Sequence, residues 1–219
     1  MTDAVEPSAA MTQSRKPDAE RTRADILSVA RDEFVAHGLN GARVDAIAER
    51  TRTTKRMIYY YFGSKDGLYS AVLEQAYADI RATEATLALD ALEPEAALRR
   101  LVGFTFDYHD AHADFVRLIA VENIHQAQHL QRLPNIRSVN ADVIATLERI
   151  LARGRQSGVF QRSCAAMDVH LLISGLCFHR VSNRHTFGAI FGIDLTAPEV
   201  RARHREMVVE SVVGWVRGA

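Results

Sequence analysis

A chain of 219 residues, 47% hydrophobic and 25% charged, can bury one large core or two smaller ones and has the composition of an ordinary globular protein. Its 27 basic and 27 acidic residues leave a formal net charge of zero, so any strong positive field has to be local. The longest apolar run, Leu171 to Phe178, is about half of what a membrane span needs, and no export signal is visible at Met1, so the sequence predicts a cytoplasmic protein without a membrane partner.

Residues 1–17 are poor in large apolar side chains and carry Pro7 and Pro17, which predicts an unstructured tail. Its bases Arg15 and Lys16, with Arg21 and Arg23 beyond, read as a solvated patch or as an arm able to reach a phosphate or a minor groove. From about Asp18 to His37 the spacing is helical, with Ile26, Leu27, Ala30 and Phe34 on one face and Gly38 placed as a C-cap. Phe34 is the expected centre of a small three-helix core, and His37 sits where it can meet the last carbonyls of its helix.

After a loop at Leu39 to Gly41, the stretch from Arg43 to Lys65 reads as two short helices joined by a tight turn. Val44, Ile47, Ala48 and Thr51 share one face of the first helix. The second divides into Lys55, Arg56, Tyr59 and Tyr60 on one side and Met57, Ile58, Tyr61 and Phe62 on the other, with Thr53 or Thr54 as its N-cap. Six bases (Arg43, Arg50, Arg52, Lys55, Arg56, Lys65) stand against two acids, Asp45 and Glu49, so the positive field sits on this segment. A basic surface presenting two tyrosines suits a polyanion better than it suits an inert solvated face.

These residues carry a resemblance: "VDAIAERTRTTKRMIYYYFGSKDGLYSAV" is similar to the DNA-binding module of TetR-type transcriptional regulators, closely so from about Arg23 to Leu73. The shared features are the Ile-Ala of the first helix, the Tyr-x-Tyr-Phe that ends the second, and Ser-Lys-acid-x-Leu opening the next. The resemblance implies an all-α fold, in which a three-helix DNA-binding domain at residues 18–66 (helix-turn-helix at about 43–62) precedes a helical effector-binding and dimerisation domain at 67–219. It further implies that Lys55, Arg56 and Tyr60 face the major groove and that Tyr59 and Lys65 hold phosphates, with Arg43 and Thr54 beside them at the helix starts. Two positions depart from the family pattern. Arg52 replaces the usual turn glycine, from which the turn is expected not to need a positive φ, and Arg43 replaces a capping Ser or Thr, so that a phosphate contact takes the place of the cap.

Gly63 ends the second helix and Ser64 caps a fourth, which runs through Leu68, Val72, Leu73, Ala76 and Ile80 and carries any movement of its far end back toward Lys65. Further helices are expected at Pro94–Asp110, Ala113–Gln131 with breaks, Asn135–Ser157, Met167–His185 and Pro198–Arg217, and no alternating strand pattern occurs. Candidates to line a small-molecule effector pocket are Phe104, Tyr108, Phe115, Glu122, Asn123, Cys177, Phe178 and Asn183, with Phe106, His109, His112, His125 and His179 also interior. The last two helices, through Leu171, Leu172, Ile173, Leu176 and Val181 and through Val208, Val209, Val212, Val213, Trp215 and Val216, offer enough apolar surface for burial on two sides, as in a homodimer.

Cys164 and Cys177 read as free thiols of a reducing compartment. The leading expectation is therefore a ligand-responsive transcriptional regulator, a repressor by family inference, that binds a palindromic operator as a dimer and needs no cofactor or resident metal. Glu122, His125 and His129 share a face that could hold a metal if their segment stays helical, and one rival is a metal-assisted hydrolase using the histidine-rich helical bundle, which lacks a nucleophile elbow, a phosphate loop and a complete ligand motif. The other is an architectural DNA binder without an effector.

Overall fold

The computed structural model describes residues 10–218, with side chains from Asp18 onward, and among these residues there are eleven α-helices and no strand. The chain divides into two compact units between Val72 and Leu73. That division falls inside a helix, whereas the sequence places the boundary at residue 66.

The first unit is built from α1 (Ala10–Gly41), α2 (Val44–Arg50), α3 (Lys55–Phe62) and the first part of α4 (Lys65–Ala85). Residues 10–17 are helical, although their composition reads as an unstructured tail; Ala, Met, Gln, Arg and Lys are good helix formers, and an expectation based on the lack of core residues ignores that propensity. Residues 1–9 lie outside the described part. At Gly38 the backbone leaves the helix with φ 67°, as its assignment to a C-cap requires. Ile26, Ala30, Phe34, Ile47, Ile58 and Leu68 form the core, in which the Phe34 and Tyr69 rings meet edge to face with centroids 5.1 Å apart.

The second unit places α5 (Pro94–Ala111) against α8 (Ala141–Gln156), α9 (Ala166–Ser182) and α11 (Pro198–Arg217), with α6 (Ala113–Ile124), α7 (Ile136–Val139) and α10 (Arg184–Phe191) alongside. Leu98, Leu101, Val102, Phe106, Leu147, Ile150, Val169, Ile173, Val212 and Val213 supply its core. Three expected helices are shorter than their apolar spacing suggests: breaks occur at His125, Asn140 and Asn183. Past α6 the chain turns back through Gln126 and Ala127, both with positive φ, a conformation no hydrophobic pattern announces.

An ion cluster ties α5 to α9 and α11. Arg201 bonds Asp110 at 2.7 Å and Asp107 at 2.6 Å, Arg205 bonds Asp107 at 3.0 Å, and buried Arg180 bonds Asp110 and the Leu195 carbonyl while lying 4.7 Å over the Phe106 ring. Burial acts to raise the Asp110 carboxyl, but the hydrogen bonds from Arg180 and Arg201 outweigh it and hold the group below its ordinary value. The same packing narrows the expected partner-facing surface, since Val208, Val209, Val212, Val213 and Val216 of α11 are all consumed by the unit's own core. What stays exposed is Met167 and Leu171 on α9, Met207 on α11, and Ile190 and Phe191 on α10.

Both cysteines are free; Cys164 precedes α9, and burial pushes the Cys177 thiol up to about 12, which leaves it unreactive. Among the described residues no helix is long and apolar enough to cross a membrane.

Candidate functional site

The first candidate surface is the outer side of α3. Thr54 caps that helix, its hydroxyl oxygen accepting the Met57 N–H at 3.2 Å, which resolves the choice between Thr53 and Thr54. With the N-terminus so fixed, Ile58 is fully buried against α2 while Lys55, Arg56 and Tyr59 point outward and Tyr60 is 78% exposed. Met57 belongs to this outer face as well, contrary to its assignment to the buried side; an eight-residue helix has room for one anchoring apolar side chain, and Ile58 is it. Tyr61 and Phe62 are half-buried. The Tyr60 ring stands edge-on to Tyr61 at 5.5 Å, and Arg23 of α1 lies 5.4 Å from the centre of the Phe62 ring, so Arg23 braces this surface.

The turn before α3 corrects a second expectation. Arg52 has φ 52°, so the turn does require the left-handed region, and an arginine occupies it in place of glycine. The missing cap of α2 is real: Arg43 makes no side-chain cap, and instead the buried Glu33 of α1 accepts the Arg43 N–H at 3.0 Å. His37 stands 3.9 Å from the other oxygen of Glu33. Among the bases, Lys55 pairs with Asp45 at 3.1 Å, Arg50 with Asp32 at 2.7 Å, and Lys65 donates to the Asn40 carbonyl at 3.2 Å. Exposed ion pairs of this kind contribute little and open readily toward a polyanion.

The junction of α3 and α4 is unusually close. Gly63, with φ 74°, closes α3, and Ser64 caps α4 by accepting the Gly67 N–H at 3.0 Å. A Cβ on Gly67 would stand 2.0 Å from the Phe62 carbonyl oxygen, so this glycine is required by close backbone approach. Nothing in the spacing of the sequence announces that demand.

The second candidate is a half-open cavity of about 300 Å³ inside the second unit, walled by α4, α5, α6 and α9 with Asn140 and Val143 beyond. Of the eight residues proposed from sequence, Phe115, Asn123 and Phe178 line it; Asn183 instead faces a second, apolar pocket of about 420 Å³ between α9, α10 and α11, and Phe104, Tyr108, Glu122 and Cys177 line neither. Tyr108 is buried and stacks on His112 with centroids 4.0 Å apart, and Cys177 is in the core. Glu122 is a turn-forming carboxylate: it is 1% exposed and accepts hydrogen bonds from the His129 and Leu130 backbone N–H groups at 2.8 and 3.1 Å, with His129 Nδ1 at 3.0 Å. Because α6 ends at Ile124, Glu122, His125 and His129 do not share a helical face, and among the described residues no group of three metal-ligating side chains forms.

Sequence reasoning missed most of the cavity's polar wall, which comes from Tyr77, Arg81 and Glu84 on α4, His109 on α5 and His170 and Ser174 on α9. Burial raises the Tyr77 hydroxyl, and it raises the Glu84 carboxyl despite the Arg81 guanidinium 2.6 Å away. Burial first, and then the positive charge of Arg81, pushes His109 down to about 4 and also lowers His170. Both imidazoles are therefore neutral at about pH 7. The helical period of α4 beyond residue 73 does show one face toward this unit; which polar residues fall on it is set by the rotation of the helix against α5 and α9.

Residues 26–72 match the family model described as bacterial regulatory proteins, tetR family, and residues 94–212 match one described as tetracyclin repressor-like, C-terminal domain. The HTH-type transcriptional repressor NicS of Pseudomonas putida is 38% identical over 191 residues, which cover 87% of this chain and 90% of that protein. The HTH-type transcriptional repressor SCO4008 of Streptomyces coelicolor is 37% identical over 107 residues, about half of each protein at 49% and 52%. Among solved structures, the SCO4942 protein of Streptomyces coelicolor superposes with a TM-score of 0.66 at 26% identity, covering 89% of this chain and 97% of that one.

Proposed function

The chain belongs to the TetR family of bacterial regulatory proteins and is a DNA-binding transcriptional regulator with no enzymatic role; we propose that it is a repressor, docking as a homodimer on a palindromic operator and released by a small molecule. The observation that carries the DNA-facing part is the outer side of α3, where Tyr60 is 78% exposed beside Arg56 on a helix anchored by Ile58. A short helix held by one buried side chain and capped at its start presents its polar face to a major groove. In this reading Lys55, Arg56 and Tyr60 read base edges, while Arg43, Thr54, Tyr59 and Lys65 fix the register on the phosphates.

Support for the dimer is the apolar surface that the second unit leaves uncovered, namely Met167 and Leu171 on α9 with Met207 on α11. Leu171 and Gly175 also rim the cavity, so a second protomer seated there would help to close it. The effector reading rests on that cavity. Tyr77, Ile80, Arg81 and Glu84 lie on the same continuous helix that begins at Lys65, and a ligand that prefers one placement of the cavity wall shifts the population of placements available to α3.

Selection of bound duplexes from a random pool tests the whole reading. The expected product is an inverted repeat whose half-sites lie about one helical turn apart, with a slope of affinity against salt that reports the phosphate contacts. Recovery of unrelated sequences with equal affinity would remove the operator and favour an architectural binder instead.

A further inference from the structure

Arg52 ends α2 in a backbone conformation that suits glycine. The Thr53 N–H donates to the Ala48 carbonyl at 3.0 Å and the Arg52 N–H donates to the Glu49 carbonyl at 3.2 Å. These two bonds close the helix, and they require the residue just past its cap, Thr51, to be left-handed. The φ of 52° is therefore imposed by the end of α2 and not by anything the arginine side chain does. A residue with a Cβ is strained there where glycine is not. A strained position that keeps such a residue points to a task for its side chain.

Within the first unit that task is missing. Arg52 is exposed, and among the described residues its guanidinium has no ion-pair, hydrogen-bond or ring partner. Neighbouring bases are committed: Arg50 pairs with Asp32, Lys55 with Asp45, and Lys65 donates to the Asn40 carbonyl. Capping the end of α2 does not call for another cation either. The Ala48 and Glu49 carbonyls accept the two N–H groups above, the Ile47 carbonyl accepts both the N–H and the hydroxyl of Thr51, and Arg50 already places a base in the last turn. What Arg52 does have is position. It lies two residues before the Thr54 cap of α3 and three before Lys55, at the end of α3 that carries Lys55 and Arg56. A helix lying in a major groove about 12 Å wide has a sugar-phosphate strand along each side, and a guanidinium matches phosphate oxygens in pairs.

We propose that Arg52 is a further DNA-binding residue, which holds a backbone phosphate at the edge of the groove beside the N-terminus of α3, and that its left-handed backbone is stability forgone for that contact. This assignment rests on α3 being the DNA-facing helix. It separates stability from binding at one residue: removing the side chain relieves the backbone and loses the phosphate.

Thermal melts, together with binding of a mixed-sequence duplex and of the duplex selected with the parent chain across a salt series, test it. Arg52→Gly should raise the melting midpoint and yet bind both duplexes about tenfold more weakly, with the slope of log affinity against log salt smaller by about one. Base preference should stay that of the parent. Arg52→Asn, which also accepts a left-handed backbone, should behave in the same way, and Arg52→Lys should keep most of the affinity. Replacing phosphates of the selected duplex one at a time by neutral methylphosphonates should reveal a position that weakens the parent chain and leaves Arg52→Gly unaffected. Parent-like affinity and salt slope in Arg52→Gly overturn the proposal, as does a melting midpoint that falls in step with affinity, which would make the arginine a cap for α2. Additive effects at every methylphosphonate position overturn the direct contact. A parent chain that binds no duplex, or binds without salt dependence, overturns the DNA reading of α3 and this proposal with it.

Discussion

The two units of this protein keep their polar side chains in opposite ways. In the first unit Lys55, Arg56, Tyr59 and Tyr60 are neighbours in sequence, lie on one eight-residue helix and are exposed, so their spacing alone brings them together. In the second unit Arg81, Glu84, His109 and His170 lie on α4, α5 and α9, are largely buried, and meet only because those helices pack. A surface site is a property of a segment, whereas a cavity is a property of a packing arrangement. Substitutions should therefore act locally and separably in the first unit and through coupled stability and charge in the second.

The largest expected effect tests whether the contiguous site needs its frame. Gly67→Ala drives a Cβ into the Phe62 carbonyl oxygen, backbone against backbone, and should destabilise the first unit by about 3 kcal/mol with loss of operator affinity. Denaturant melts alongside DNA binding would show it; an unchanged midpoint would mean that the α3–α4 junction is looser than its geometry.

Next in size is the pH response of the cavity. Burial, and after it the charge of Arg81, pushes His109 down to about 4 in the folded state from an ordinary histidine value of 6.5, so it carries little penalty above pH 6.5. As pH falls below that value the unfolded chain takes up a proton that the folded chain refuses until about 4, and stability drops by roughly 2 kcal/mol between about pH 7 and 5. Glu84, with its carboxyl raised by burial, acts in the opposite sense, and His170 and His204 in the same sense, so the measure is the difference between the parent chain and His109→Gln. The variant should show the flatter profile. Asp110, held below its ordinary value, keeps its contribution throughout this window and loses it only in stronger acid.

Within the first unit, Arg56→Ala and Tyr60→Ala should change base preference at about 1–3 kcal/mol for each base-edge interaction removed, while Lys65→Ala should weaken binding to all sequences alike. Equal behaviour across a panel of mismatched operators would erase the distinction between reading and positioning residues. The smallest effect concerns the turn: Arg52→Gly relieves a left-handed arginine and should stabilise by about 0.5–1 kcal/mol. A thermal melt would resolve a shift of that size, and a loss of stability would show that the arginine side chain contributes more than its backbone costs.

Where the sequence misleads, the cause is the same each time. The helical period allows Met57 an inward position, yet Ile58 alone fills the space over α2. A straight helix would align Glu122 with the histidines, but the chain turns back at Gln126 and Ala127 and the carboxylate satisfies that turn. The valines of α11 are apolar enough for a partner helix, and the protein's own core takes them.

By itself the sequence determined the all-α character, the pair of short helices with a cap on the second, and the outward basic and tyrosine face, because caps, glycine stops and a 3.6-residue period act within a few residues of one another. Only the tertiary structure decided the cavity wall, the Asp107–Asp110 ion cluster and the demand for glycine at position 67. Those depend on distances between residues far apart in the chain, or on the approach of one helix end to another, and such distances are fixed only when apolar faces from several helices settle into one packed arrangement.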